Sequence, residues 1–326
     1  MSMRGAVALG ISLILLATAA GPAAASTGGA AAATGVHAAA GEVRLTVTTE
    51  GAIGGLQPVI DSLTAEPLLD GQQLTLAEAA TPPEPSGTEG GSAGTASVGQ
   101  VLSLEGVTAR TDRVEDGNLS ATAGIDGAAV RLFGLDVLDV GEVRTEAITH
   151  PDREPAATAH VEHLEVFGTP VTVRAGEPLE RSLELSTDQV LDALADLVPG
   201  LSAVTGFAAR VAGAGGRVDV RLSSDEHTDE ATGTASAVGL NALVHLSLDL
   251  RLCLPELRGD GCVGQVRIQT DATVLDAQLG HSSVQRPDAL ERPLGGHAVP
   301  LAVLASLLAA VVVYVGGWAL AGRMRP

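Results

Sequence analysis

The sequence predicts a mainly β fold, with one or more antiparallel, hairpin-rich sheets, an internal duplication, one amphipathic helix and a C-terminal transmembrane helix. Short runs of alternating apolar and polar residues, broken by turn residues, extend from Val101 to His150 and return after Arg217, which is the pattern of hairpin strands. Apolar residues at helical spacing stand out near residues 186–199, and a long uncharged stretch follows at 298–321. Aromatic residues make up 2% of the chain, so the core must be built from Val, Leu, Ile and Ala, which suits packed sheets.

The N-terminal segment predicts export from the cell. MSMR is a short positive region, GAVALGISLILLATAA has the length of a signal-peptide apolar region, and GPAAAS offers a small-residue cleavage context. We therefore predict a signal peptide over residues 1–25 that is cut between Ala25 and Ser26, with an uncleaved anchor as the alternative. Residues 26–41 are small throughout and offer little to bury, so we expect them to be disordered.

The C-terminal apolar stretch predicts a membrane anchor. Ala298–Ala321 carries no charged side chain, and as a helix it would rise about 36 Å, enough to cross a hydrocarbon core of about 30 Å. Tyr314 and Trp318 lie one turn apart near its end, where interfacial aromatic residues are found, and Arg323 and Arg325 mark the cytoplasmic side. The alternative is a buried core helix, which the length and the lack of charge disfavour.

The two ends leave an extracellular region that composition divides further. Residues 42–280 form the predicted β-rich part, and within it residues 78–97 contain Pro, Gly, Ser and Glu without an apolar period, which predicts a disordered loop. Residues 281–297 are polar and contain proline, so we expect a stalk between the domain and the membrane. Residues 322–326 are the predicted cytoplasmic tail.

Two pairs of similar segments predict the internal duplication. VTARTDRVEDGNLSATAGIDG from Val107 resembles VRLSSDEHTDEATGTASAVGL from Val220, and VGEVRTEA from Val140 resembles VGQVRIQTDA from Val263 at a longer offset that implies an insertion. These matches predict a first repeat over 101–174, a helical insert over 186–213 and a second repeat over 217–280. Chance similarity among strands rich in Ala, Thr and Val is the alternative.

The predicted helix at 186–199 has both a start signal and a buried face. Ser186 with Gln189 three residues later is a capping-box pattern, and Pro199 follows at the other end. The apolar residues at helical spacing are Val190, Leu191, Leu194, Leu197 and Val198. A stripe of carboxylates, Asp188, Asp192 and Asp196, lies on the other side. A stripe on one face lacks converging ligands, so we interpret it as a solvated face and not as a metal site.

The two cysteines of the chain predict a disulfide at the tip of a hairpin. The strand before them alternates leucines on one face with Ser247, Asp249 and Arg251 on the other. Cys253 and Cys262 fall on opposite faces by simple alternation, and a bulge at Gly264 would reconcile them. A disulfide in an exported chain would contribute about 2 to 3 kcal/mol by closing this loop. A catalytic thiol pair would need a CxxC spacing, which is absent.

Three other motifs carry candidate chemistry. His160, Glu162, His163 and Glu165 fit neither zinc pattern in their order, and on a strand they divide between two faces, with a bulge or kink expected at Glu162 and His163. An acidic turn holds Asp225, Glu226, His227, Asp229 and Glu230; we interpret it as solvated, with weak calcium binding as the alternative. The tripeptide Arg258-Gly259-Asp260 is too short to indicate receptor binding. We therefore predict no catalytic, cofactor or metal residues.

With these features placed, the chain resembles a group of actinobacterial cell-surface proteins that are β-rich and C-terminally anchored, some of them by sorting signals of the LAxTG type. The resemblance lies in segments such as ATAHVEHLEVFGTPVTV and LDLRLCLPELRGDGCVGQVRI. It implies a secreted protein associated with the wall or the membrane and no particular activity. The sorting motif is missing here, since no Thr occurs from His281 to Pro300.

The sequence therefore predicts a non-enzymatic, single-pass cell-membrane protein with an extracellular domain and an envelope or interaction role. Its partners would be the lipid bilayer and an unidentified surface partner, and a formal net charge of −20 excludes nucleic acid. No cofactor is expected, and the oligomeric state stays open. Two alternatives remain: a binder of an apolar ligand or lipid in a sheet–helix cleft, and a hydrolase that uses His160, His163 or the turn at 225–230.

Overall fold

The computed structural model describes residues 29–51, 60–61, 64, 67, 69–82, 84, 86–114, 117–191, 210–255 and 262–286. The predicted signal peptide with its cleavage site, the tripeptide at 258–260, the anchor at 298–321 with its flanking residues and the tail at 322–326 all lie outside these residues. In the described part of the chain, no helix has the length and the apolar character needed to cross a membrane.

The prediction of a mainly β, antiparallel fold is confirmed, because strands make up most of the described chain and every strand pairs antiparallel to its neighbours. The strands are β1 Ala30–Ala40, β2 Thr46–Gly51, β3 Gln72–Ala80, β4 Gly87–Val98, β5 Leu102–Arg113, β6 Leu119–Ile125, β7 Gly127–Leu132, β8 Leu135–His150, β9 Arg153–Val166, β10 Thr169–Pro170, β11 Leu179–Leu185, β12 Arg210–Asp229, β13 Thr234–Pro255 and β14 Cys262–Gln285. A single helical turn spans residues 187–191.

The strands form two sheets that pack face to face. Sheet A has the order β11-β12-β13-β14-β1-β3, with β2 also on β14, and sheet B has the order β10-β9-β8-β6-β5-β4, with β7 between β5 and β8. β13 lies over β8 and β9, β14 over β6 and β8, β1 over β5 and β6, and β3 over β4 and β5. The product is a β-sandwich whose core lies between the two inner faces.

Each sheet contains one cross-strand row at which its strands change the face that they bury. In sheet A this row holds Gly35 of β1, Gly280 of β14 and Gly239 of β13, which stand opposite one another in the ladder. On β1 the buried residues have odd numbers before Gly35 and even numbers after it. Gly280 has a positive φ of 69°, a conformation that glycine adopts without strain. We call this set the glycine row.

The glycine row lets side chains of sheet B rest directly on the backbone of sheet A. A Cβ at Gly239 would overlap Cγ1 of Val143 on β8 and lie 2.8 Å from the carbonyl oxygen of Leu279. A Cβ at Gly35 would overlap Cγ1 of Val107 on β5. Only glycine permits so close an approach of two sheets, because any side chain would occupy the space that the valines fill.

The glycine row also separates two kinds of core. On the side of Gln285 the buried cluster consists mainly of alanines: Ala31, Ala33, Ala79, Ala109, Ala121, Ala123, Ala147 and Ala235, with Leu119 and Val284. On the other side the core is built from Leu, Val and Ile. There the leucines of β13 are confirmed as one buried face, with Leu246, Leu248, Leu250 and Leu252 at most 2% exposed.

Sheet B has an equivalent row, and it confirms the kink predicted in β9. His163 has a φ of 50°, and the residues buried on β9 change parity at this point. The register with β8 is the same on both sides of Gly141, which stands opposite His163. On β5 the buried residues change parity at Gly106, which has a φ of 60° and lies one position from the row of Gly141 and His163. Asp126 lies between β6 and β7.

The prediction that residues 26–41 are disordered is wrong for β1, which is a central strand of sheet A. β1 pairs with β14 on one side and with β3 on the other along most of its length. Its alanines are buried at Ala31, Ala33, Ala38 and Ala40. Small side chains bury well here because the facing sheet is also lined by alanines, so close packing replaces bulk.

The prediction of a disordered loop over 78–97 is also wrong. β3 continues to Ala80, and β4 occupies Gly87–Val98 and pairs with β5 along its length. The glycines that suggested a loop allow close packing, since a Cβ at Gly91 would lie 2.9 Å from the carbonyl oxygen of Glu78 on β3. Composition alone does not reveal a strand whose partners supply both its hydrogen bonds and its packing.

The predicted start of the helix is confirmed, whereas three predicted boundaries differ from the structure: the end of the helical insert, the start of the second repeat and the start of the stalk. The helix predicted at 186–199 begins as expected: the Ser186 backbone N–H donates to Gln189 Oε1 at 2.9 Å, and the Gln189 N–H donates to Ser186 Oγ. Residues 192–199 lie outside the described residues. β12 begins at Arg210, inside the predicted helical insert and before the predicted start of the second repeat, because it pairs with β13 from that point. β14 runs to Gln285, so the predicted stalk at 281–297 begins too early.

The internal duplication stays a hypothesis. The strand positions agree with the first pair of similar segments but not with the second. In the first pair of similar segments, the sequence alignment matches Asp126 with Gly239 of the glycine row. Asp126 lies between β6 and β7. The second pair aligns Gly141 with Gly264, yet Gly141 lies in the kinked row of its sheet and Gly264 lies near the end of the long hairpin. By position, the counterpart of Gly141 is Gly280.

Replacing Gly239 by valine tests the contact between the sheets. We expect Gly239→Val to lower the free energy of unfolding by about 1 to 3 kcal/mol, because the new side chain meets Val143 and cannot move away from the Leu279 carbonyl. Chemical denaturation measures the loss. The matched control is Gly94→Val on β4, where a Cβ would have no described residue within 4 Å. Equal stability of the two variants would show that the sheets do not touch at the glycine row.

Candidate functional site

A polar depression of about 560 Å³ lies on the outer face of sheet B. Four neighbouring strands, β5, β6, β8 and β9, supply its walls in two cross-strand rows. The first row is Thr108, Gly124, Arg144 and His160, and the second is Thr122, Glu146 and Thr158, with Arg110 in line with them beside the depression. Gly124 forms the floor because a Cβ there would lie 3.1 Å from Thr108 Oγ1. The depression is therefore open, hydroxyl-lined and polar.

Two side chains of the depression, Arg144 and His160, pair with carboxylates of their own strands. Arg144 pairs with Glu142 on β8, and His160 Nε2 lies 2.8 Å from Glu162 Oε1 on β9. The hydrogen bond with His160 lowers the pKa of the Glu162 carboxyl. These pairs are exposed and worth little to stability. The depression can offer hydroxyl and charged groups to a polar ligand.

The structure separates the predicted cluster on β9. His160 lines the depression, whereas His163 packs against Gly141, where an added Cβ would lie 2.8 Å from His163 Cβ. Glu165 lies beyond the kink and beside His163 in a second, smaller hollow. Among the described residues, no three His, Cys, Asp or Glu side chains are placed to hold a metal ion.

The predicted acidic turn lies mostly on a strand, because residues 225–229 end β12 and pair with β13, and the turn begins at Glu230. Its carboxylates accept hydrogen bonds from the protein's own backbone. Asp229 Oδ1 accepts a hydrogen bond from the N–H of Ala231 at 2.9 Å, and hydrogen bonds, first from the Thr232 side chain, lower the pKa of the Asp229 carboxyl. Glu226 Oε1 accepts from the N–H of Ala159 on β9 at 2.7 Å. Glu226 thus covers part of the outer edge of β9, where unpaired N–H groups would otherwise be available to another strand.

Sequence reasoning missed a row of Ser182, Asp219 and His245 on the outer face of sheet A. The three residues stand side by side on β11, β12 and β13. The hydroxyl of Ser182 donates to Asp219 and accepts from Arg217, while His245 Nε2 contacts Asp271. A hydrolytic triad needs the imidazole next to the hydroxyl, and here the carboxylate lies between them. The row becomes visible only when the strand register is known.

The predicted disulfide between Cys253 and Cys262 is confirmed. It joins the ends of β13 and β14, with the two Cα atoms 5.5 Å apart. The predicted bulge falls at Val263, next to Gly264, because Leu254 pairs with Gly264 while Pro255 pairs with Cys262. The bond closes the end of the hairpin that lies farthest along β14 from Gln285. We call this end the hairpin tip.

Comparisons with known proteins identify no relative of this chain. No protein-family profile, no curated protein and no solved structure matches it. The function must therefore be argued from the geometry and the chemistry of the chain's own residues.

Removing the disulfide tests its contribution to stability. We expect the double variant Cys253→Ser/Cys262→Ser to lose about 2 to 3 kcal/mol of unfolding free energy, because the oxidised loop restricts the unfolded chain. Chemical denaturation of oxidised protein, reduced protein and the double variant provides the measurement. Reduced protein should match the double variant. If reduction leaves the denaturation midpoint unchanged, the disulfide does not stabilise the hairpin tip.

Acid titration tests the ion pair beside the depression. Arg110 Nε and Nη2 donate to Asp112 at 2.7 and 2.8 Å, and the hydrogen bond from Arg110 lowers the pKa of the Asp112 carboxyl. A lowered folded-state pKa adds stability above the unfolded value of about 3.9, and this stability disappears as the pH falls through the folded pKa. Asp112→Asn should therefore make the unfolding free energy less dependent on pH below about pH 4. An unchanged pH dependence contradicts the assignment.

Proposed function

We propose that this chain is an exported, non-enzymatic protein of the cell surface, held by a membrane helix at 298–321, with its β-sandwich outside the cell and residues 322–326 inside. It would serve a structural or interaction role in the envelope and belong to the actinobacterial surface proteins that its sequence resembles. A disulfide supports export, because such bonds persist in oxidising compartments. The acidic composition, with a net charge of −20, suits a solvated surface domain that does not bind nucleic acid.

The observation that carries this proposal is the position of the two ends of the domain. Ala30 stands directly opposite Gln285 in the ladder of β1 and β14. The predicted signal peptide and the predicted anchor therefore connect to the same end of sheet A. The hairpin tip lies at the other end of β14, a strand of 24 residues, which at about 3.3 Å per residue would span roughly 75 Å if straight. Such a domain can be tethered at one end and display the other.

The arrangement of the polar groups supports a non-enzymatic role. Two histidines that the hydrolase hypothesis uses do not share a site, since His160 and His163 lie in separate hollows. Two carboxylates of the turn at 225–230, Asp229 and Glu226, accept backbone hydrogen bonds. Catalysis by a general base and a nucleophile needs the histidines and carboxylates to converge on one point. Their arrangement therefore favours a binding or structural role.

The packing of the described helical turn weighs against an apolar-ligand cleft between helix and sheet. Val190 is 0% exposed. A Cβ at Gly216 of β12 would lie 2.9 Å from Val190 Cγ2 and 2.8 Å from Leu248 Cδ2. The described start of the helix therefore rests directly on the sheet, with no room between them for a ligand.

Deleting the predicted anchor tests the proposal. We expect a chain that lacks residues 298–326 to be secreted as folded, disulfide-bonded protein, because the deletion removes the segment that is proposed to hold it in the bilayer. Fractionation of medium and envelope, with gel mobility before and after reduction, measures this. The matched control lacks only residues 322–326 and should stay in the envelope. Retention of the longer deletion in the envelope would contradict the anchor.

A further inference from the structure

Two arginines stand directly opposite each other near the hairpin tip. Arg251 of β13 faces Arg267 of β14 on the outer side of sheet A, and Thr48 of β2 and Gly213 of β12 complete the row. Like charges in this position destabilise a sheet. No other pair of arginines stands directly opposite in the registers of the described strands. A positively charged pair is therefore built into one place on an acidic protein.

One carboxylate is shared between the two guanidinium groups. Arg267 donates to Asp249 from Nε at 2.9 Å and from Nη2 at 2.6 Å, whereas Arg251 donates from Nη2 alone at 3.3 Å. The pKa of the Asp249 carboxyl is lowered, chiefly by the hydrogen bond from Arg267. Two positive charges thus share one negative charge. Arg251, with 59% of its side chain exposed, keeps most of its five N–H donors for another acceptor.

The strand next to Arg251 presents bare backbone. Gly213 and Gly215 of β12 stand opposite Arg251 and Asp249, and among the residues that the structure describes none lies within 4 Å of a Cβ added at either glycine. Neither glycine has a positive φ, so neither the backbone conformation nor the described neighbours demand glycine at these positions. A glycine inside a strand weakens it and often marks a place where a ligand approaches closely. We call Gly213 and Gly215 the glycine floor.

We propose that Arg251 and Arg267 form an anion-binding surface, which takes a phosphate or carboxylate group of an extended ligand that lies along the glycine floor. The guanidinium fork matches either group with paired hydrogen bonds. A hollow of about 260 Å³ on the other side of the pair contains Glu50, whose carboxylate repels an anion. The ligand therefore approaches from β12.

The neighbouring structure holds this surface in place. The disulfide at Cys253 lies two residues from Arg251 on the same strand, and Arg267 lies on a strand that is paired on both sides, with β13 and with β2. Both guanidinium groups thus project from strands that are paired on both sides. A preorganised pair loses less conformational entropy on binding than two mobile side chains would. The surface does not depend on the membrane anchor.

Binding of polyanions to the full-length protein in detergent tests the proposal. The probes are linear polyphosphate and polyglutamate, each titrated into the protein by calorimetry at low ionic strength. Binding of polyphosphate alone identifies phosphate as the recognised group. Binding of both polymers identifies a general oxyanion site. Arg251→Gln should weaken binding at least about tenfold, the loss of a charged hydrogen bond. The matched control, Arg131→Gln, removes an arginine that is 68% exposed and paired with Asp136, and it should bind like the wild type.

Two further variants separate binding from folding. Gly215→Thr should keep the melting temperature, because its Cβ has free space, yet reduce affinity at least about tenfold by covering the glycine floor. Asp249→Asn should tighten binding, because it removes the internal competitor for the guanidinium groups. The proposal is overturned if neither polymer binds the wild type, or if Arg251→Gln and Gly215→Thr bind as tightly as the wild type.

Discussion

The contact of Val143 and Val107 with the backbone of sheet A is the constraint on which the rest of the structure depends. Both valines contact glycines of the glycine row, where sheet A contributes no side chain between its backbone and sheet B. On one side of this row alanines fill the narrow space between the sheets, and on the other side leucines and valines fill a wider one. The strands change their buried face at the row, so each keeps a continuous apolar surface toward the core.

This constraint also explains where the polar groups lie. Apart from a few buried hydroxyl residues such as Thr111, Thr149 and Ser282, the inner faces are filled by apolar residues. The charged side chains are therefore arranged in cross-strand rows on the outer faces. The depression around Gly124 and the arginine pair near the hairpin tip are two such rows. Both are open surfaces in which charges meet neighbours on the same or the adjacent strand. Surfaces of this kind suit the recognition of polar partners better than the enclosure of a substrate.

Features carried by local sequence could be predicted, and features that depend on distant strands could not. The leucine face of β13 follows from alternation alone, and the disulfide follows from two cysteines at hairpin spacing. β1 and β4 were missed because their Ala, Gly and Ser residues bury well only against an equally small facing surface, which the sequence of either strand does not reveal. The arginine pair was missed for a related reason: Arg251 and Arg267 become neighbours only through the register of β13 and β14.

The central claim is that the sandwich is tethered near Gln285 and displays its hairpin tip. Energy transfer from a fluorophore on the protein to a dye in the lipid headgroups tests it most directly, in membranes that contain the full-length chain. One fluorophore is placed at Val263, which is 45% exposed, and another at Thr232, in the turn next to Arg286. The account predicts strong transfer from position 232 and little from 263. Equal transfer from both, or stronger transfer from 263, would contradict it.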